Sequence, residues 1–120
     1  MKRKKPFNKE NIRIALGLLQ PVTPMDQDHP AEYWNQGTGL IIKSRQEMHI
    51  QLLKTNIIKA ETKDEVQTIR NLVCTSCYSF DSFINQCTDS LFWSTGFGDA
   101  ILNNWDQMIT RFLEEINNME

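Results

Sequence analysis

The chain has 120 residues, of which 40% are hydrophobic and 23% charged, with a formal net charge of −2. That composition fits a single globular domain with a core of its own and excludes a collagen-like, wholly disordered or disulfide-stapled chain. No apolar run approaches the roughly 18 residues of a spanning helix, so no membrane contact is expected.

Charge is unevenly distributed. Residues 1–60 carry ten Lys and Arg against five acidic residues, and residues 61–120 carry three against ten. Much of the basic excess lies in Lys2, Arg3, Lys4 and Lys5, so residues 1–7 read as a flexible basic arm and 8–120 as one globular domain. A basic start of this kind also opens secretory signals, but Pro6, Asn8, Lys9, Glu10, Asn11 and Arg13 interrupt the apolar stretch such a signal needs. Three cysteines, an odd and sparse count, suit reduced thiols. A cytoplasmic location is therefore expected.

The first predicted element is a helix capped by Asn8. Ile12, Ala15, Leu16 and Leu19 share one face, and Pro21 stops it because proline lacks the amide a helix needs. Residues 21–37 form the one long irregular stretch, punctuated by Pro21, Pro24 and Pro30 and made acidic by Asp26, Asp28 and Glu32. Within it, Pro30–Trp34 suits a single helical turn with Pro30 at its first position.

Residues 38–60 carry two conflicting signals. Met48, Ile50 and Leu52 alternate with Glu47, His49 and Gln51 as in a half-buried strand. Ser44 and Glu47 have the spacing of a capping box that would open a helix. At 100° per residue, Met48 and Leu52 fall opposite Ile50, Leu53 and Ile57, which makes a poor amphipathic helix. The reading adopted is an antiparallel hairpin over 38–53, with all-α the close alternative.

Beyond it, Thr62 and Glu65 form another capping box. Val66, Ile69, Val73, Cys77, Phe80, Ile84 and Cys87 then share a helical face, with a break expected near Ser79–Asp81. The final element is a helix capped by Asp99, with Ile101, Leu102, Trp105, Met108, Ile109, Phe112, Leu113 and Ile116 in one broad stripe. The expected fold is thus α+β and α-rich: three or four helices with a small hairpin.

Few residues suggest chemistry. Cys74 and Cys77 have the spacing of a dithiol, but mid-helix, where no dipole lowers a thiol pKa. Zinc would need Cys74, Cys77, Cys87 and His29 or His49 to converge, in no standard zinc spacing. The Gly96-Phe97-Gly98 turn lacks the Lys and Ser/Thr of a phosphate loop. Neither histidine stands beside an identifiable nucleophile. The expectation is a non-enzymatic domain without cofactor or metal.

What remains is the acidic, aromatic loop. Asp26, Asp28, Glu32, Tyr33 and Trp34 are candidate partner-binding residues, because Trp and Tyr dominate protein interfaces and the carboxylates would meet a basic partner surface. The competing reading folds the two aromatics over the core edge. The expected function is protein binding of the inhibitor, immunity or adaptor kind, by occlusion. On that reading, replacing Tyr33 and Trp34 together by Ala leaves folding intact and abolishes binding. Two alternatives stand beside it: a nucleic-acid-associated regulator using Lys2, Arg3, Lys4 and Lys5 with Arg13, Lys43 and Arg45, and a small metal or thiol enzyme. A homodimer through the C-terminal stripe is a further option.

Overall fold

A computed structural model describes residues 8–58 and 66–119. The basic arm at 1–7 and the Thr62–Glu65 capping box lie outside the described residues. Helix α1 spans Lys9–Leu16, followed by a 3-10 turn over Ala31–Asn35, α2 over Gly37–Ile58, α3 over Val66–Cys87, a short α4 over Ser90–Ser94 and α5 over Phe97–Asn117. Helix α2 packs on α3 and on the 3-10 turn, α5 packs on α3 and α4, and α1 packs against both α2 and α5.

The hairpin expected at 38–53 is not formed. Among the described residues there is no strand, and the whole segment is one 22-residue helix. Its two apolar sets are both real. Ile42, Ile50, Leu53 and Ile57 face the core, whereas Leu40, Ile41, Met48 and Leu52 face outward and remain about half exposed. Two polar side chains, Gln46 and His49, sit on the inward face. The alternation of Met48, Ile50 and Leu52 therefore arises from a helix with apolar residues on both sides, not from a pleated strand.

Gln46 has a definite task there. It is fully buried, and its Oε1 accepts from the Val22 N–H at 2.7 Å while its Nε2 donates to the Val22 carbonyl at 3.0 Å. One side chain thus meets both backbone groups of a residue that lies outside any helix. This fixes the path of residues 20–24 across the bundle.

The α1 cap is as expected: the Asn8 side chain accepts from the Asn11 N–H at 2.9 Å. The helix ends at Leu16, and i→i+3 turns carry the chain on to Leu19, which is buried. Helix α3 runs unbroken through Ser79–Asp81, contrary to the expected break. Ile69 and Val73 before that point and Phe80 and Ile84 at and after it are buried, so the helix has a partner surface on both sides of the expected break.

Helix α5 starts two residues before Asp99. Its N-cap is Gly96 at φ +80°, and at Gly98, inside the first turn, a Cβ would fall 2.6 Å from the Trp93 ring and 2.9 Å from the Phe92 ring. Asp89 caps α4, an element absent from the sequence reading, by accepting from the Phe92 N–H at 3.0 Å. Two side-chain contacts tie the long helices together. The Arg45 guanidinium lies 4.4 Å above the Phe83 ring, and Arg70 donates to the Asn117 side chain.

Candidate functional site

The irregular stretch is locked down by one carboxylate. Asp26 Oδ1 accepts from the N–H of Asp28 at 2.9 Å, from the N–H of His29 at 2.6 Å and from His29 Nδ1 at 3.0 Å. The Asp26 N–H returns a bond to the His29 carbonyl. Desolvation would raise the Asp26 pKa, but these bonds and the His29 ring together hold it below the ordinary carboxylate value. Residues 26–29 therefore form a closed turn with the imidazole on its inner side.

That imidazole is held by aromatic rings as well. His29 stacks on Phe97 at 3.7 Å with 9° between planes, and Tyr33 meets it edge-on at 4.9 Å. Phe97 in turn contacts Tyr33, Trp34 and Phe92. The cluster joins the loop, the 3-10 turn and the start of α5. It opens onto a cavity of about 440 Å³, whose ionisable walls are Asp28, His29, Tyr33 and Asp89, with Phe92 and the Thr38, Thr88 and Thr95 side chains between them. Burial, then the nearby charge of Asp89, raises the Tyr33 phenol pKa above its usual value. The loop and the α4 cap thus share one electrostatic environment.

The expected site residues separate into roles. Asp28 and Tyr33 line the cavity, and Asp26 positions His29 behind it. Glu32 is exposed on the 3-10 turn, away from the cavity lining. Trp34 is 3% exposed and packs on Tyr33 and Phe97, so it belongs to the core. A Trp34→Ala change would open that core. Asp89, Phe92 and the three threonines were not foreseen as site residues. Only the isolated Phe92-Trp93 pair hinted at them.

A second groove of about 410 Å³ lies between residues 18–23 and α5. Arg111 is the one ionisable group among its lining residues, so it offers less directional chemistry. The Cys74–Cys77 pair is mid-helix, as read. Burial foremost pushes the Cys77 thiol up to about 11; the charges of Asp106, Asp81 and Cys74 add to this, and the Trp105 indole, near but outside hydrogen-bond geometry, opposes it. Cys77 therefore stays protonated at neutral pH, unlike a redox or metal-binding thiolate. No three His, Cys, Asp or Glu side chains among the described residues converge on a metal position. No helix among them is long and apolar enough to cross a membrane.

His49 is the other histidine, 7% exposed, with Phe80 and Trp105 edge-on at 6.2 and 6.4 Å and no hydrogen-bond partner for Nε2. Burial, then the charge of Arg45, lowers its pKa below the ordinary 6.5. The unfolded chain takes up that proton near pH 6.5 while the folded chain resists it, so stability is complete above this value and falls as pH decreases below it. Urea midpoints measured between pH 8 and pH 5 should drop toward acid. A His49→Phe variant should show a shallower drop, and an identical slope in both proteins would contradict this assignment.

Comparison with protein-family models, with curated proteins and with solved structures finds no match to this chain. Its function has to be argued from the site alone.

Proposed function

We propose that this chain is a non-catalytic protein-binding domain, of the inhibitor, immunity or adaptor kind, that docks a basic segment of its partner in the cavity between the 26–33 loop and α4. The observation that supports it most is the joining of Asp28 and Asp89, from distant parts of the sequence, on one cavity with the rings of Tyr33 and Phe92. Carboxylates beside aromatic faces favour a cation, through charge and through the ring quadrupole together. The Asp26 turn keeps the loop in its binding shape before the partner arrives, which reduces the entropy lost on association. Binding there covers the partner's basic surface, and occlusion is the whole mechanism.

The test compares wild type with an Asp28→Asn, Asp89→Asn double variant. Asparagine remains a good N-cap, so α4 is expected to persist and far-UV circular dichroism to be unchanged. In affinity capture from native cell extract at moderate salt, a stoichiometric partner held by wild type should be absent from the variant. A partner retained equally by both would show that the cavity is not the interface. Co-eluting nucleic acid that leaves at high salt would point instead to Lys2, Arg3, Lys4 and Lys5.

A further inference from the structure

Building on the reading of this cavity as the dock for a basic segment, we propose that the side chain it receives is an arginine, recognised through its planar guanidinium. Lysine and arginine differ in shape more than in charge. An ammonium is a compact, strongly hydrated point charge, whereas a guanidinium is flat, weakly hydrated and presents five N–H donors in a fixed fork. The cavity matches the second description in two independent ways.

Its acceptors stand on different walls. Asp28 and His29 come from the loop, and Asp89 comes from the N-cap of α4. His29 Nδ1 is committed to Asp26 at 3.0 Å, which leaves Nε2 outside that contact. Asp89 uses Oδ1 for the Phe92 N–H, and a carboxylate has further acceptor positions beyond that one bond. A donor fork can address the loop and the cap together. An ammonium holds its three donors on one nitrogen and spans less than the guanidinium fork.

The surfaces between these acceptors are aromatic and packed against the core. The Tyr33 and Phe92 rings both touch Phe97, and Phe97 is itself stacked on His29. Phe97 is buried, so this aromatic block moves as part of the core rather than as a loose surface. Rigid ring faces reward a planar cation by stacking, and they give little to a tetrahedral one.

The experiment is a nuclear magnetic resonance titration of the full chain with three end-capped peptides, Gly-Gly-X-Gly-Gly, where X is arginine, lysine or citrulline. The arginine peptide is expected to shift the His29, Tyr33 and Phe92 resonances in a saturable way. Lysine should bind at least about tenfold more weakly, and citrulline, which keeps the shape without the charge, weaker still. Asp89→Asn should weaken the arginine peptide by about tenfold, the scale of one charge-assisted hydrogen bond. Equal affinity for lysine and arginine would overturn the guanidinium assignment and leave the basic-segment reading standing. Absence of binding by both cationic peptides, or citrulline binding as tightly as arginine, would overturn both.

Discussion

Replacing Trp105 by Ala should remove about 3–5 kcal/mol of stability, the cost of emptying a large aromatic site in a packed core. Trp105 is fully buried on α5, and its ring lies 4.5 Å from that of Phe80 on α3, which is also fully buried. The pair joins the two longest apolar stripes of the bundle, with His49 of α2 against both rings. A domain of this size holds only about 5–15 kcal/mol in total, so the variant should unfold at much lower urea or lose its cooperative transition. Trp105→Phe keeps most of the ring contact and should lose markedly less. If the two variants denature at the same midpoint, the Phe80 contact is not what holds α3 to α5.

Gly39→Ala should be the most damaging small substitution, and it should strike the fold and the site together. In an ordinary helix, alanine in place of glycine gains up to about 1 kcal/mol. Here the added Cβ would fall onto the Tyr33 carbonyl oxygen, 2.8 Å from its carbonyl carbon and 2.7 Å from Cδ1 of its ring. The obstacle is backbone, which cannot rotate aside, so the 3-10 turn has to lift off α2. Overpacking of this kind costs about 1–3 kcal/mol. Because Tyr33 lines the cavity and braces His29, the same displacement should abolish the binding proposed for that cavity. Urea denaturation gives the first effect and a binding titration the second. A variant more stable than wild type, as propensity alone dictates, would show that α2 and the turn do not approach so closely.

The helices that could be read from the sequence are those with one apolar face. In α5, Ile101, Trp105, Met108, Ile109, Phe112 and Ile116 repeat at helical spacing against a polar opposite side, and all are buried. Helix α1 was equally plain because Asn8 and Pro21 bracket it. Helix α2 was hidden by residues that break the rule in both directions: Leu40, Ile41, Met48 and Leu52 are apolar and exposed, while Gln46 and His49 are polar and buried. Pattern follows burial only when each element has a single partnered side, and α2 lacks that simplicity.

The candidate site was legible in half. Asp28 and Tyr33 stood out as charge and aromatic surface in an irregular stretch. The other half comes from Asp89, Phe92 and Thr95, brought in by α4 and its two caps, and no local pattern ties them to the 26–33 loop so far away in the sequence. Trp34 shows the opposite case. An aromatic without a periodic face looks like interface material, yet the 3-10 turn rotates it inward onto Phe97. His29 gained its importance only through Asp26, three residues earlier, a spacing that is common in turns and says nothing without the ring that stacks against it.

The packing of α1 against both α2 and α5 sets an order of events during synthesis. Helix α5 is made after every other helix described, and it supplies Ile101, Trp105, Phe112 and Ile116, four of the fully buried side chains. Until it leaves the ribosome, α1 lacks one of its two supports, and the inward faces of α2 and α3 have no third layer to cover them. A chain in which α5 has not yet been made therefore leaves the helix faces that α5 covers exposed. Chaperone demand during synthesis should rest on that interval rather than on the finished molecule.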